Sequence, residues 1–431
     1  MITSRVRKGL RIVVTAGVLG FAVLAVALWV ERGFAVTLPV PTGPFAVGRA
    51  IYDWKDEAHA DPVAPVAGTK RELMVWIWYP AVAGAGAKAE YVPVQMRTAI
   101  GPDGGPLGIV TRDTGKVQGH SFSDAEVASQ ERSYPVAIMR TGASLQIWNY
   151  STLAEDLASH GYVVVGFDAP YRTSSVAFPD GRVLRRAPEN NPEFCEEQPP
   201  AQLAGCVNPI IDAWIGDIGF VLDRLAGVNA SAGMFAGRLD LARVGVFGHS
   251  FGGATAAQFC HDDARCKAGI DLDGQPFGSV VQEGMRQPFL FVLGDEIRGS
   301  DPETRRIAGN IQSIYDRLPV EGRLRVVMHG ANHFLYNDEM ALRTSHILMG
   351  GLRMVGLVGI EGRRQLAVAA YCVRSFFDEY LKGAGGGALR NAGATGYPEI
   401  QVMEQAQARR AARLGLIVRC RRPVAGHARP G

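Results

Sequence analysis

The stretch Arg243-Val-Gly-Val-Phe-Gly-His-Ser-Phe-Gly-Gly-Ala-Thr255 constrains this chain more than any other. Val244, Val246 and Phe247 read as a short buried strand, and Gly252, Gly253, Ala254, Ala256 and Ala257 as the start of a helix built from small side chains. Between them stands Gly248-His249-Ser250-Phe251-Gly252, the one G-x-S-x-G in the sequence. A strand that turns this sharply into a helix strains the backbone at its serine and lifts Oγ above the sheet edge. The flanking residues must then be small, because a Cβ at Gly248 or Gly252 would strike neighbouring backbone. The helix N-terminus behind Ser250 favours negative charge that develops there.

The rest of the chain supplies a sheet for this turn. Glu72-Leu-Met-Val-Trp-Ile-Trp-Tyr79 is apolar on both faces, as a strand covered on two sides must be. Phe45–Trp54, Tyr134–Met139, Tyr162–Phe167, Ala268–Asp273, Pro288–Leu293 and Leu324–Met328 read as further strands. Helical segments separate them. Thr152-Leu-Ala-Glu155 matches a capping box. Asn208 and Pro209 read as the cap and first position of a helix whose apolar stripe runs through Ile211, Trp214, Ile218 and Leu225. Further helices are expected over Thr304–Leu318 and from Leu366 to Gly383. The alternation predicts an α/β domain, a mostly parallel central sheet with helices on both faces. It spans residues 38–383, with a polar excursion over 169–207 on the active-site side. Residues 384–431 are Gly/Ala-rich and then Arg-rich, and are expected to be partly mobile.

Residues 1–37 form a separate unit. Ile12–Val30 is a run of 19 uncharged, mostly apolar residues behind Arg5, Arg7, Lys8 and Arg11. A span of ~30 Å of hydrocarbon needs about 20 such residues. The segment therefore reads as an N-terminal transmembrane anchor, or a cleaved signal segment, with the body on the extracytoplasmic side. Six cysteines fit export: Cys195 with Cys206, and Cys260 with Cys266, bracket short loops suited to local disulfides. The net charge of +3 in 431 residues is too small to argue for nucleic acid. No Cys/His cluster has zinc spacing, so neither a metal nor a cofactor is expected.

Serine needs a base to take its proton, and the base needs a carboxylate to hold its tautomer. Of His261, His329, His333, His346 and His427, His333 is the best candidate: it lies in Gly330-Ala-Asn-His-Phe334, a loop after the last core strand. The acid is Asp273, Asp295 or Glu296, and spacing does not choose among them. Asp271 sits deeper along its strand. An oxyanion hole would use the backbone N–H of Phe251 and a second from the loop Arg140–Ala143.

Gly248-His-Ser-Phe-Gly-Gly-Ala-Thr255, Ala268-Gly-Ile-Asp-Leu-Asp273 and Gly330-Ala-Asn-His333 together resemble the plasma-type platelet-activating factor acetylhydrolases and their bacterial relatives, in the α/β-hydrolase superfamily. Phe376–Gly383, Pro41–Pro44 and Leu157–Gly161 are similar as well, so the resemblance covers roughly residues 38–383. It implies a Ser250–Asp273–His333 triad without a metal, and Ala143 as the second oxyanion donor. The family often has His-Gly before that donor, where this chain has Thr141-Gly142. The implied activity is hydrolysis of short-chain or sn-2 acyl esters of phospholipid-like substrates through an acyl-enzyme. The rivals are a broad esterase, lipase or polyester hydrolase with the same triad, and a non-catalytic binding module on a hydrolase scaffold.

Overall fold

The computed structural model describes residues 2–84, 86–100, 108 and 110–403. The principal elements, in chain order, begin with helix α1 (Ile2–Arg32), strands β1 (Ala46–Ala60), β2 (Lys70–Ala81) and β3 (Tyr134–Arg140), helix α2 (Ser151–Ser159) and strand β4 (Val163–Asp168). Next come α3 (Pro200–Ala230), β5 (Leu239–His249), α4 (Phe251–Asp262), β6 (Cys266–Leu272) and β7 (Phe289–Leu293). The chain continues through α5 (Pro302–Arg317), β8 (Arg323–Met328), α6 (His346–Met354), α7 (Gly362–Lys382) and β9 (Ile400–Val402).

The strands form one sheet in the order β9-β8-β7-β6-β5-β3-β4-β2-β1, extended beyond β1 by the short strands Ser121–Ser123 and Ala87–Lys88. From β4 through β3 to β8 every pairing is parallel; β2 joins β4 and β1 antiparallel, and β9 joins β8 antiparallel. Period-2 alternation decides which face each side chain serves. Met74, Trp76 and Trp78 enter the core shared with α2 and α7, while Leu73, Val75, Ile77 and Tyr79 enter the core shared with α3, α4 and α5. Each of these aliphatic side chains, taken fully from water, contributes roughly 1.5–3 kcal/mol.

Three local expectations differ from the structure. The capping box at Thr152 does not form: α2 begins at Ser151 without a side-chain cap. Glu155 is buried and instead accepts hydrogen bonds from the backbone N–H groups of His120 and Ser121, each 3.0 Å away. A carboxylate carried into the interior takes whatever donors the tertiary fold brings to it. Asn208 caps nothing, and Pro209 lies inside α3, which starts at Pro200. The early turns are held from outside, by the Cys195–Cys206 disulfide and by burial of Val207, and this outweighs the one helix hydrogen bond that proline removes. Finally, the segment after Gly383 does not stop contributing to the fold: β9 pairs Ile400 with Met328 and Val402 with Val326. The Arg-rich end from residue 404, which includes His427, lies outside the described residues.

Both expected disulfides are present, Cys195–Cys206 and Cys260–Cys266. Among the described residues two helical stretches are long and apolar enough to cross a membrane. One, within α3, is more than half buried in the body; the other lies within Lys8–Arg32, and its apolar window is unburied. The end of α1 is fastened to the body through Glu31, which pairs with Arg112 at 2.9 Å and accepts from the His346 N–H at 2.7 Å.

Candidate active site

Parallel strands deliver their carboxyl ends to one edge of the sheet, and the ends of β5, β6 and β8, with β7 between the last two, carry the three residues of the site. Ser250 follows β5 with φ 56° and ψ −125°, outside helical and extended geometry. Its N–H is fixed by the Leu272 carbonyl of the neighbouring strand at 2.9 Å. A Cβ on Gly248 would lie 2.9 Å from the Arg140 carbonyl oxygen, and one on Gly252 2.6 Å from that same oxygen. Only glycine permits this approach.

Asp273 follows β6 and also has a positive φ, 59°. Its N–H is held by the Val292 carbonyl at 2.8 Å, and its Oδ1 accepts from the Gly294 N–H at 2.8 Å. The other oxygen, Oδ2, is 2.9 Å from His333 Nδ1. His333 opens the short turn His333–Tyr336 beyond β8, and its Nε2 lies 3.1 Å from Ser250 Oγ. The Asp273 carboxylate requires a proton on Nδ1, which leaves Nε2 bare toward the serine hydroxyl. Burial works against ionising Asp273. The hydrogen bond and charge of His333 and the Gly294 N–H outweigh it, so the carboxyl titrates below its usual range. Burial alone would lower the His333 imidazole. The Asp273 hydrogen bond and charge, then Glu296 and Glu196, raise it above the ordinary 6.5. A serine, a base aimed at it and an acid holding the base can together activate a hydroxyl for attack on a carbonyl.

The chain is 26% identical over 398 residues to the probable 1-alkyl-2-acetylglycerophosphocholine esterase of Arthroderma benhamiae, covering 85% of this chain and 94% of that protein. It is 27% identical to the platelet-activating factor acetylhydrolase of Cavia porcellus over 58% of each chain. A family model for platelet-activating factor acetylhydrolase, isoform II, matches residues 219–365. Along most of its length the chain is similar to the platelet-activating factor acetylhydrolase family. It is a carboxylic ester hydrolase of the α/β-hydrolase superfamily. The ferulic acid esterase from Streptomyces cinnamoneus superposes with a TM-score of 0.66 at 26% identity, over 86% of this chain and 99% of the esterase.

The other described histidine candidates are engaged away from Ser250. His329 pairs with Asp295 at 2.9 Å and with Gln401 at 3.0 Å, so this second His–Asp pair is turned to the β9 edge. His261 bonds the Gly284 carbonyl, and His346 sits beside Glu31. Asp271 is buried beneath the turn, with Oδ1 accepting from the Gly274 N–H at 2.7 Å and its own ionisation suppressed by burial. The backbone N–H groups of Phe251 and Ala143 have no protein acceptor among the described residues. Both residues line a cavity of about 460 Å³ that opens on Ser250 and His333.

Sequence reasoning placed the 169–207 excursion on this side and named Glu296 as a candidate acid, but did not assemble the walls of that cavity. Glu193, Glu196, Glu296 and Glu303 surround it, with Phe277 and Phe334. They come from four separate segments without shared spacing, and only the fold brings them together. It also missed Tyr150 and Gln365. Gln365 on α7 grips the His333 loop, accepting from the Asn332 N–H at 2.9 Å and donating to the Asn332 carbonyl at 2.8 Å. Among the described residues no group of three or more His, Cys, Asp or Glu is arranged to hold a metal ion.

Proposed function

We propose that Ser250, His333 and Asp273 are the nucleophile, base and orienting acid of an esterase that works through an acyl-enzyme. The observation that carries this reading is the single imidazole bonded to Asp273 on one side and Ser250 on the other. Ser250 Oγ attacks the ester carbonyl while His333 Nε2 takes its proton. The oxyanion forms against the N–H groups of Phe251 and Ala143, each such donor worth on the order of 10²–10³ in rate. Collapse of the tetrahedral intermediate expels the alcohol, which receives the proton from His333. Water then repeats the sequence on the acyl-enzyme.

Relatives named for acetylglycerophosphocholine and platelet-activating factor support short-chain or sn-2 acyl esters of phospholipid-like molecules as substrates. The likeness to a ferulic acid esterase supports a second reading, a broad esterase with the same three residues. We read residues 1–37 as a membrane anchor or signal segment that places the catalytic body, from residue 38, on the extracytoplasmic side. The unburied apolar helix and the four cationic residues before it support this.

The test is hydrolysis of p-nitrophenyl esters from acetate to decanoate by the chain and by Ser250→Ala, with short-chain phosphatidylcholine and feruloyl esters in parallel. Loss on the order of 10⁶ in kcat is expected in the variant. Equal activity in the variant, or no labelling of Ser250 by a fluorophosphonate, would overturn the assignment. Equal rates on phospholipid and feruloyl esters would favour the broad esterase.

A further inference from the structure

His249 precedes the nucleophile, and its imidazole is buried facing away from Ser250 Oγ. Both of its nitrogens are engaged. Nε2 lies 2.8 Å from the carbonyl oxygen of His333. A carbonyl only accepts, so Nε2 carries the proton. Burial, and then the nearby His333, hold this ring neutral, which leaves Nδ1 as an acceptor. Nδ1 is 2.8 Å from the hydroxyl of Tyr150, which must therefore donate to it. The Tyr150 oxygen in turn accepts from the Gly142 N–H at 2.9 Å. Every donor and acceptor in the chain is thereby assigned: Gly142 N–H to Tyr150, Tyr150 O–H to His249, His249 N–H to the His333 carbonyl.

The three anchor points of this chain matter. Gly142 adjoins Ala143, His249 adjoins Ser250, and the last bond ends on the backbone of His333. One continuous hydrogen-bonded path thus ties together the loops that carry the second oxyanion donor, the nucleophile and the base. It is packed as well as bonded: the His249 ring stacks on Tyr336 at 5.2 Å, within the same short turn as His333. A Cβ at Gly142 would press on this path, meeting His249 Nδ1 at 3.1 Å and the Tyr150 oxygen at 3.4 Å. Tyr150 and His249 are both buried, so breaking one bond strands the partner's polar group away from water.

The geometry points to Tyr150 and His249 as positioning residues that hold the Gly142–Ala143 loop and His333 in register with Ser250. Neither touches the reacting atoms; both act through the backbone they fix. Displacing catalytic groups by about 1 Å costs on the order of 10² in rate. The interaction gained is with the transition-state oxyanion, so the loss belongs to kcat and not to KM. This inference rests on the triad reading above.

The experiment compares the full chain with Tyr150→Phe, His249→Phe and the double variant on p-nitrophenyl acetate. Active sites are counted by fluorophosphonate titration, and the affinity of an alkyl boronic acid, which mimics the tetrahedral intermediate, is measured on each protein. Expected are a fall of roughly 10- to 100-fold in kcat per titrated site, KM within about twofold, and a boronate affinity that weakens in step with kcat. The double variant is expected to be little worse than His249→Phe, because the two residues form one chain. His249→Asn, which keeps an acceptor near the Nδ1 position, is expected to recover part of the loss. Unchanged kcat per site with fewer titratable sites would reduce the pair to a folding role and overturn the inference. So would a loss confined to KM, or an unmoved boronate affinity. If the parent chain itself lacks Ser250-dependent activity, the triad reading fails instead.

Discussion

At the scale of single residues, two titrating groups give opposite and separable signals. As the proposed base, His333 must be neutral to accept the serine proton. Its imidazole is raised above 6.5, so the acid limb of kcat/KM is expected above that pH. Glu296 is one of the charges that raise it. Glu296→Gln is therefore expected to move the limb to lower pH and to increase activity at pH 6; a limb that stays in place would rule out that influence. His249 is held down at about 3, so it adds no limb of its own. Asp271 behaves differently. Burial raises its carboxyl well above 3.8, with a smaller push from Asp273, so folding takes up a proton there. The sign follows: its contribution to stability is complete below the unfolded value near 3.8 and is lost as pH rises toward the folded value. Asp271→Asn is expected to flatten that dependence, with a larger gain in the urea midpoint at pH 8 than at pH 5. Midpoints that shift equally at both pH values would show that Asp271 ionises freely in the folded protein.

At the scale of elements, the disulfide Cys195–Cys206 fastens the short helix Pro192–Glu196 to the first turns of α3. Pro192 and Glu196 line the cavity, so the bond supports a wall of the site. Closing a loop of this kind contributes on the order of 2–3 kcal/mol. The double replacement of Cys195 and Cys206 by Ala is expected to lower the melting temperature by several degrees and to raise KM more than it lowers kcat. A fall in kcat alone would place its effect elsewhere. The same region shows where local sequence signals mislead. Asn208-Pro209 carries every mark of a helix start, yet a disulfide and a buried Val207 extend the helix to Pro200. Thr152 and Glu155 have capping-box spacing, yet the strand edge at His120 and Ser121 claims the carboxylate. The fully buried strands were legible because both of their faces are apolar, a property that no tertiary contact has to supply.

At the scale of the whole molecule, the cavity is ringed by carboxylates. Glu193 lies 3.8 Å from Arg186 and Glu303 lies 3.9 Å from Arg306, while Glu196 and Glu296 bring further negative charge near His333. At low ionic strength an acylcholine is therefore expected to outrun an anionic ester of the same acyl chain by roughly 3- to 10-fold. The ratio should shrink with salt and in the double variant Glu196→Gln/Glu296→Gln; a ratio indifferent to both would exclude the rim as a source of selectivity. The sequence alone determined the strained serine turn, because glycine spacing and a small-residue helix are local requirements written in consecutive residues. It determined the layered α/β core through alternation along each strand, and the two disulfides through short cysteine separations. It narrowed the base to the loop at His333, but residue spacing left the acid open among Asp273, Asp295 and Glu296. Only the tertiary structure brought Asp273 to His333 and turned Asp295 to His329, because strand order sets which carboxyl ends are neighbours. It alone decided the acidic cavity and the Tyr150–His249 path, since their members are far apart in the chain and meet only after the sheet has formed.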